Sequence, residues 1–150
     1  MATPLLDRPP AAVLLAEDND GDVILMRECF KRTPLPVDLY AVDNGAKCLA
    51  FLRKEGRYQD APTPDLLLLD LLMPVMDGRE VLTEIVADER LRQLPVIILT
   101  AYSQAVWELY QLGCNAFIVK PMGIEHLQHV IQEIADFWFT IVKLPSHRVM

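Results

Sequence analysis

The sequence predicts one α/β domain with a doubly wound, five-stranded parallel sheet and five helices. Five short segments rich in Leu, Ile and Val alternate with segments whose apolar residues recur at helical spacing. The first, third and fourth apolar segments lack polar alternation, which is typical of parallel strands covered by helices on both faces. Five strands in 150 residues favour the strand order 2-1-3-4-5 over the six-stranded dinucleotide-binding order.

Each predicted element has its own local signal. The strand segments end at Pro, Gly, Asp or Asn, where turns are expected, and they span residues 11–16, 37–42, 65–70, 95–100 and 116–120. The helices are predicted from these apolar positions: Val23, Met26 and Phe30 in the first, Leu49 and Leu52 after a cap at Asn44 in the second, Val81, Leu82, Ile85 and Val86 in the third, Ala105 to Leu112 as a short fourth, and a long fifth from about Ile124.

Charge and composition exclude several classes of function. With 21 acidic residues against 14 basic ones and no Lys/Arg cluster, nucleic-acid binding is disfavoured, because a phosphate backbone requires a basic surface. The longest apolar runs fall short of the ~18 residues that a membrane span needs, so we expect a soluble protein that does not enter a membrane. Cys29, Cys48 and Cys114 are odd in number and not in CxxC spacing, which favours reduced, buried thiols.

The two ends of the chain differ in character from the middle. We expect residues 1–10 to form a flexible lead-in, which lacks the pattern of a secretory signal and therefore predicts a cytoplasmic protein. Residues 11–136 form the predicted domain, and residues 137–150 form a C-terminal extension. The extension opens with an apolar run that predicts a homodimer interface, unless it folds back over its own sheet. The predicted interface residues are Phe137, Trp138, Phe139 and Ile141.

Polar residues follow the apolar segments where each predicted strand ends. Glu17 and Asp18 follow the first strand, Asp70 the third, Thr100 the fourth, and Lys120 the fifth. The working groups of an open α/β sheet collect at the carboxyl ends of its strands. We therefore expect these five side chains to converge at one edge of the sheet.

The chemistry of this set indicates a metal-assisted phosphoryl transfer. Close carboxylates raise one another's pKa unless a cation lies among them, and Mg²⁺ prefers such oxygen ligands. The site could support in-line transfer of a phosphoryl group onto Asp70 as the nucleophile, with Lys120 as a point charge and Thr100 as a hydroxyl donor. Alternatively, the acidic residues after the first strand only cap the first helix and complement its dipole, and for Asp20 we favour that role.

These residues stand in motifs that resemble the receiver domain of two-component response regulators. The matching motifs run in order over residues 12 to 136, and they are Glu17-Asp18, Asp70 with Met73-Pro74 and Asp77-Gly78, Thr100-Ala101, and Lys120-Pro121. The resemblance implies a flavodoxin-like fold and a phosphoryl group that Asp70 takes from a histidine kinase. It also implies output by protein binding or phosphorelay, and catalysis only of the chain's own phosphorylation and dephosphorylation.

For the metal, the resemblance implies that Mg²⁺ is bound directly by Asp18, Asp70 and the backbone carbonyl of Leu72, and through water by Glu17. Leu72 also departs from the family, which frequently has a polar residue two places after the phosphoacceptor. That position influences how fast water reaches the acyl phosphate, so we expect slow self-dephosphorylation. Loss of the phosphoryl group within seconds in buffer would contradict this expectation.

For signalling, the resemblance implies that Thr100 and Phe117 form the family's switch pair, although a plain core role suits Phe117 equally well. It also implies a cis peptide bond before Pro121 that orients Lys120. From Thr100 to Lys120 the chain is shorter than the family commonly is by a pair of residues. We therefore expect an altered fourth helix and an altered partner surface.

A closer resemblance links the chain to a particular group of receivers. FLRKEGRYQDAPTPDLLLLDL, MDGREVL and IADFWFTIVKLP are similar to the stand-alone receivers that partner phytochrome-type histidine kinases. Two other classes fit poorly: EDNDGD would repel the phosphate of a flavin, and Leu72 stands where an aspartate phosphatase needs its general acid. A pseudo-receiver that binds partners without phosphorylation remains open.

Overall fold

The computed structural model describes residues 9–141, so most of the predicted lead-in and all of residues 142–150 lie outside the described residues. Within the described range, one parallel sheet has the order β2-β1-β3-β4-β5, which confirms the predicted order. The strands are β1 (Ala11–Ala16), β2 (Val37–Val42), β3 (Leu66–Leu69), β4 (Val96–Thr100) and β5 (Ala116–Val119). The helices are α1 (Asp20–Lys31), α2 (Gly45–Arg53), α3 (Gly78–Ala87), α4 (Val106–Leu112) and α5 (Ile124–Asp136).

The four leucines of β3 explain why the middle of the sheet carries no polar alternation. Successive side chains of a strand point to opposite faces. Leu67 and Leu69 accordingly pack with α2, α3 and α4 on one face, and Leu66 and Leu68 pack with α1 and α5 on the other. All four side chains are fully buried. The strand therefore ends at the first residue that has to remain polar, which is Asp70.

The structure separates the two roles expected of Asp20, and the capping role is wrong. Asn19, and not Asp20, caps α1, because its side chain accepts a hydrogen bond from the Asp22 N–H at 3.0 Å. Asp20 lies in the first turn, where its charge complements the helix dipole. Val86 lies in α3 as predicted, but it is exposed because it lies on the flank of the stripe that buries Val81, Leu82 and Ile85.

The C-terminal segment packs partly on its own domain. A π-helical segment, Phe137–Ile141, continues α5. Trp138 and Phe139 are partly buried against the core under α1 and α5, as the fold-back alternative predicts for them. Phe137 is 49% exposed, and the side chain of Ile141 lies outside the described part of the chain.

The described residues also bear on the expectations about membrane spans and about the cysteine thiols. No helix within residues 9–141 is long and apolar enough to cross a membrane. Cys29, Cys48 and Cys114 are free and buried, as predicted. Burial raises the pKa of the Cys48 thiol to about 12, so this thiol is unreactive at neutral pH.

A strained turn lies between Asp70 and α3. Val75 has a φ of +68° and is 81% exposed, and the Met76 N–H donates to the Pro74 carbonyl at 2.7 Å. These features describe a tight γ-turn, and its positive φ is unfavourable for a β-branched residue by about 1–3 kcal/mol.

We expect Val75→Gly to raise the free energy of unfolding by about 1 kcal/mol, because glycine relieves more strain here than it costs in unfolded-state entropy. Urea unfolding measures the change. The matched control is Val86→Gly, at an exposed valine within helical α3, which should lose about 0.5–1 kcal/mol. A loss of similar size in both variants would show that Val75 is not strained.

Candidate functional site

The three predicted carboxylates come together at the carboxyl edge of the sheet. Glu17 and Asp18 follow β1 and Asp70 follows β3, and these two strands are direct neighbours. One carboxylate oxygen from each of the three residues lies within 4.8 Å of the others. Glu17 and Asp70 are buried, whereas Asp18 is exposed. The cluster is therefore partly enclosed but open to solvent on the side of Asp18.

The Asp70 carboxylate is held in a defined orientation. The Asp70 N–H donates to the Ala16 carbonyl at 3.0 Å, which extends the pairing of β3 with β1. Its Oδ1 accepts a hydrogen bond from the Leu71 N–H at 2.8 Å. Its Oδ2 faces the Lys120 ammonium at 3.3 Å. One oxygen is thus fixed by backbone, and the other faces a positive charge.

Lys120 reaches the carboxylates from the end of β5. Its Nζ donates to Glu17 Oε1, to Asp22 Oδ2 at 2.9 Å and to Asp70 Oδ2 at 3.3 Å. The lysine side chain is largely buried. The ammonium is therefore shared among three carboxylates, and one of them, Asp22, comes from α1.

The predicted cis peptide bond before Pro121 is wrong, since no peptide bond among the described residues is cis. The trans isomer is intrinsically favoured before proline by about 0.5–1 kcal/mol. The Lys120 N–H also donates to the Thr100 carbonyl at 2.8 Å, beyond the last residue of β5. This continued pairing with β4 places Lys120 at the carboxyl edge of the sheet.

The ionisation of the site follows from burial and from these contacts. Burial raises the pKa of Glu17 to about 7, with a hydrogen bond from Lys120 opposing the shift and Asp70 adding to it. Burial alone would lower the pKa of Lys120, but hydrogen bonds to Glu17 and Asp22 and the charge of Asp70 raise it above its ordinary value. Lys120 is therefore a permanent cation at neutral pH.

The donor set fits a hard divalent cation. Carboxylate oxygens from Glu17, Asp18 and Asp70 are the ligand type that Mg²⁺ and related ions prefer. Three carboxylates and a single adjacent ammonium leave the cluster negative, which favours a further cation. Leu72, the predicted carbonyl ligand, lies two residues beyond Asp70 and exposes its side chain.

The two predicted switch residues lie on adjacent strands, β4 and the edge strand β5. Thr100 is buried at the end of β4, and its hydroxyl accepts a hydrogen bond from the Tyr102 N–H at 3.3 Å. Phe117 is half-buried on β5 and packs on the core under α2, α3 and α4. Its N–H donates to the hydroxyl of Tyr110 on α4 at 3.1 Å. The fourth helix thus contacts the backbone of the predicted switch strand directly.

Asp22 is the site residue that sequence reasoning missed. Its position in the first turn of α1 is typical of an acid that complements the helix dipole. That position does not specify which cation Asp22 would contact.

Comparison with known proteins identifies the family. The family model of the response regulator receiver domain matches residues 13–132. The chain belongs to this family. Response regulator Rcp1 of Synechocystis sp. is 36% identical to the receiver over 140 residues, which cover 92% of this chain and 95% of Rcp1.

Solved structures of relatives agree with the fold and with the acidic cluster. The phosphorylated cyanobacterial phytochrome response regulator RcpA superposes with a TM-score of 0.88 at 36% identity, covering 92% of this receiver and 100% of the RcpA chain. The Mn²⁺-bound form of Rcp1 gives a TM-score of 0.84 at 36% identity, covering 91% of this receiver and 100% of that chain. The predicted resemblance to stand-alone phytochrome response regulators is confirmed.

Proposed function

We propose that this receiver accepts a phosphoryl group on Asp70 from a histidine kinase, with Mg²⁺ as the cofactor, and signals by altered protein binding or by phosphorelay. The observation that carries the proposal is the Asp70 carboxylate itself. Its Oδ1 is fixed by the Leu71 N–H at 2.8 Å, and its Oδ2 lies 3.3 Å from Lys120 Nζ. A buried carboxylate that is oriented in this way is suited to act as a nucleophile.

The chain's own residues divide the work of the transfer. A carboxylate oxygen of Asp70 forms a bond to phosphorus while the phosphorus–nitrogen bond to the kinase histidine breaks, and the imidazole leaves with the electron pair. Lys120 offsets charge on the phosphoryl oxygens, and the hydroxyl of Thr100 donates to one of them. Bound Mg²⁺ would supply further charge neutralisation, held by Asp18, Asp70 and the Leu72 carbonyl directly and by Glu17 through water.

Intact mass after treatment with acetyl phosphate and Mg²⁺ tests the proposal. The wild type should gain the mass of one phosphoryl group and keep it well beyond seconds, whereas Asp70→Asn should gain none. Asp77→Asn is the matched control, because Asp77 caps α3 through its side chain and asparagine caps equally well. Absence of any gain in the wild type would favour an interaction module that is not phosphorylated in normal use.

We further propose that the kinase partner is of the phytochrome type. The support is that Rcp1 and RcpA cover nearly all of this receiver and that RcpA is named as a phytochrome response regulator. A signal from such a kinase would make phosphorylation of Asp70 depend on light.

We also propose that the receiver, residues 11–136, forms a homodimer through its C-terminal extension. Phe137 is the exposed aromatic residue of the described part of the extension, and its ring lies 5.6 Å from that of Trp138. Exposed aromatic residues are enriched at protein interfaces and among the residues that dominate their binding energy.

Phe137→Glu should weaken the dimer at least ~10-fold without unfolding the protein, because the side chain is exposed and aromatic anchors dominate interfaces. Sedimentation equilibrium measures the change. Met122→Glu is the control, since Met122 is also exposed but lies before the start of α5, about 20 Å away along that helix. A monomeric mass for the wild type would contradict the dimer.

A further inference from the structure

Asp22 adds a carboxylate to the site from outside the metal cluster. It lies in the first turn of α1, where its N–H donates to the Asn19 side chain at 3.0 Å. Its Oδ2 accepts a hydrogen bond from Lys120 Nζ at 2.9 Å. The group of oxygens that could hold a metal comprises Glu17, Asp18 and Asp70 and does not include Asp22. Asp22 therefore contacts the Lys120 ammonium and does not belong to the group of oxygens that could hold a metal ion.

The Lys120 ammonium has no donor to spare. An ammonium group has three N–H donors and no acceptor. The three carboxylates of Glu17, Asp22 and Asp70 all lie within hydrogen-bond distance of Nζ. A phosphoryl oxygen on Asp70 can bind this ammonium only if one of those contacts is released.

The three contacts differ in how easily they can be released. Glu17 is buried, and its Oε2 also accepts a hydrogen bond from the Asn19 N–H at 3.3 Å, so loss of the lysine would leave a buried, poorly solvated carboxylate. Asp70 carries the phosphoryl group itself. The Asp22 side chain is 38% exposed, so water can replace the ammonium there at little cost.

We propose that Asp22 is a positioning residue that retains Lys120 in the unphosphorylated state. When Asp70 carries a phosphoryl group, that group displaces Asp22 from the lysine. This inference rests on the proposed function. Asp22 competes with the phosphoryl group for one N–H donor of Lys120. This competition weakens the contact between the lysine and the phosphoryl group. Removal of the competing charge should therefore tighten the binding of a phosphoryl mimic.

Beryllofluoride, a phosphoryl mimic, tests this in the presence of saturating Mg²⁺. Asp22→Asn should bind it about threefold to fivefold more tightly than the wild type, which is the range expected for loss of a part-exposed ion pair. Fluorine-19 NMR titration measures the affinity without any catalytic turnover. Mg²⁺ affinity and thermal unfolding, each measured without the mimic, separate this effect from changes in metal binding or folding.

Two variants make the test specific to the lysine contact. Asp20→Asn removes the same charge from the same first turn of α1, but Asp20 is not among the carboxylates that contact Lys120. Asp22→Glu keeps the carboxylate on a side chain that is longer by one methylene. We expect Asp20→Asn and Asp22→Glu to bind beryllofluoride as the wild type does.

The outcomes separate this inference from the proposed function. Tighter binding by Asp22→Asn alone supports the inference. Equal tightening by Asp20→Asn would show a general charge effect, and weaker binding by Asp22→Asn would show that Asp22 supports the bound state; either result overturns it. If the wild type does not bind beryllofluoride with Mg²⁺, the proposed function fails and the inference fails with it.

Discussion

Replacement of Lys120 by methionine is expected to lower the free energy of unfolding by about 3 kcal/mol at pH 7 in metal-free buffer. The lysine side chain is 14% exposed and contacts Glu17, Asp22 and Asp70. Methionine fills a similar volume but leaves these carboxylates without their shared cation. Removal of one partner from a buried ion pair is costly, because the remaining charge is desolvated and uncompensated.

The loss in Lys120→Met should increase with pH. The folded state raises the pKa of Glu17 from its ordinary value of 4.5 to about 7, chiefly through burial. The folded protein therefore binds this proton more tightly than the unfolded chain, and the contribution of Glu17 to stability falls as pH rises from about 4.5 to 7. Without the lysine the pKa of Glu17 rises further, so this fall extends to higher pH.

Urea unfolding at pH 5 and pH 8, with and without Mg²⁺, measures these effects. The difference from the wild type should be larger at pH 8, and Mg²⁺ should recover part of it because a cation then lies among the carboxylates. Lys47→Met is the control, since Lys47 makes an exposed ion pair with Asp43 at 2.9 Å and should lose less than about 1 kcal/mol. A loss in Lys120→Met that does not depend on pH would contradict the role assigned to Glu17.

Much of the fold could be predicted because burial leaves a direct trace in the residue pattern. The predicted bounds of β1 and β2 equal the observed ones, and β3 differs only by the polar residue at each end. The convergence of Glu17, Asp70 and Lys120 followed from strand order alone, since parallel strands present their carboxyl ends at one edge. No side-chain geometry was needed for that step.

Features that depend on distances across the fold could not be predicted. The sequence shows Asp22 as one acid among several in the first turn of α1, and only the packing of α1 on the sheet brings it within 2.9 Å of Lys120. The isomer of the bond before Pro121 does not follow from the residue pattern either, because an X–Pro bond can adopt both isomers. Trp138 has an apolar side chain that suits an interface or a core equally, and the π-helical segment directs it to its own core.

Gly45 packs against backbone that is distant from it in the sequence. Gly45→Ala is expected to lower the free energy of unfolding by about 3 kcal/mol. Its N–H donates to the Met76 carbonyl at 3.0 Å. A Cβ at this position would lie 2.2 Å from that carbonyl oxygen and 2.7 Å from Cγ2 of Val81. The backbone of α2 would have to move away from the segment that joins Asp70 to α3.

Urea unfolding measures this loss, and Gly21→Ala is the matched control. Gly21 lies in the first turn of α1, and its added Cβ would meet only the Asn19 side chain at 3.2 Å. The contacted atom is the Oδ1 that caps α1, so a small shift of the cap offsets part of the ~1 kcal/mol by which alanine favours the helix over glycine, and the control should be close to neutral. A neutral Gly45→Ala would show that α2 and the loop can separate without cost.

The identity of the clashing atom can be determined with a second substitution. Val81→Ala removes Cγ2 but leaves the Met76 carbonyl oxygen, which is the closer contact. Because a backbone oxygen cannot rotate away, we expect Val81→Ala to recover less than about 1 kcal/mol of the Gly45→Ala loss in a double-mutant cycle. Recovery of most of the loss would instead assign the clash to the valine side chain.

In the expected case the backbone hydrogen bond from α2 positions the loop beside Asp70, so Gly45→Ala should also slow phosphorylation by acetyl phosphate, whereas Gly21→Ala should not.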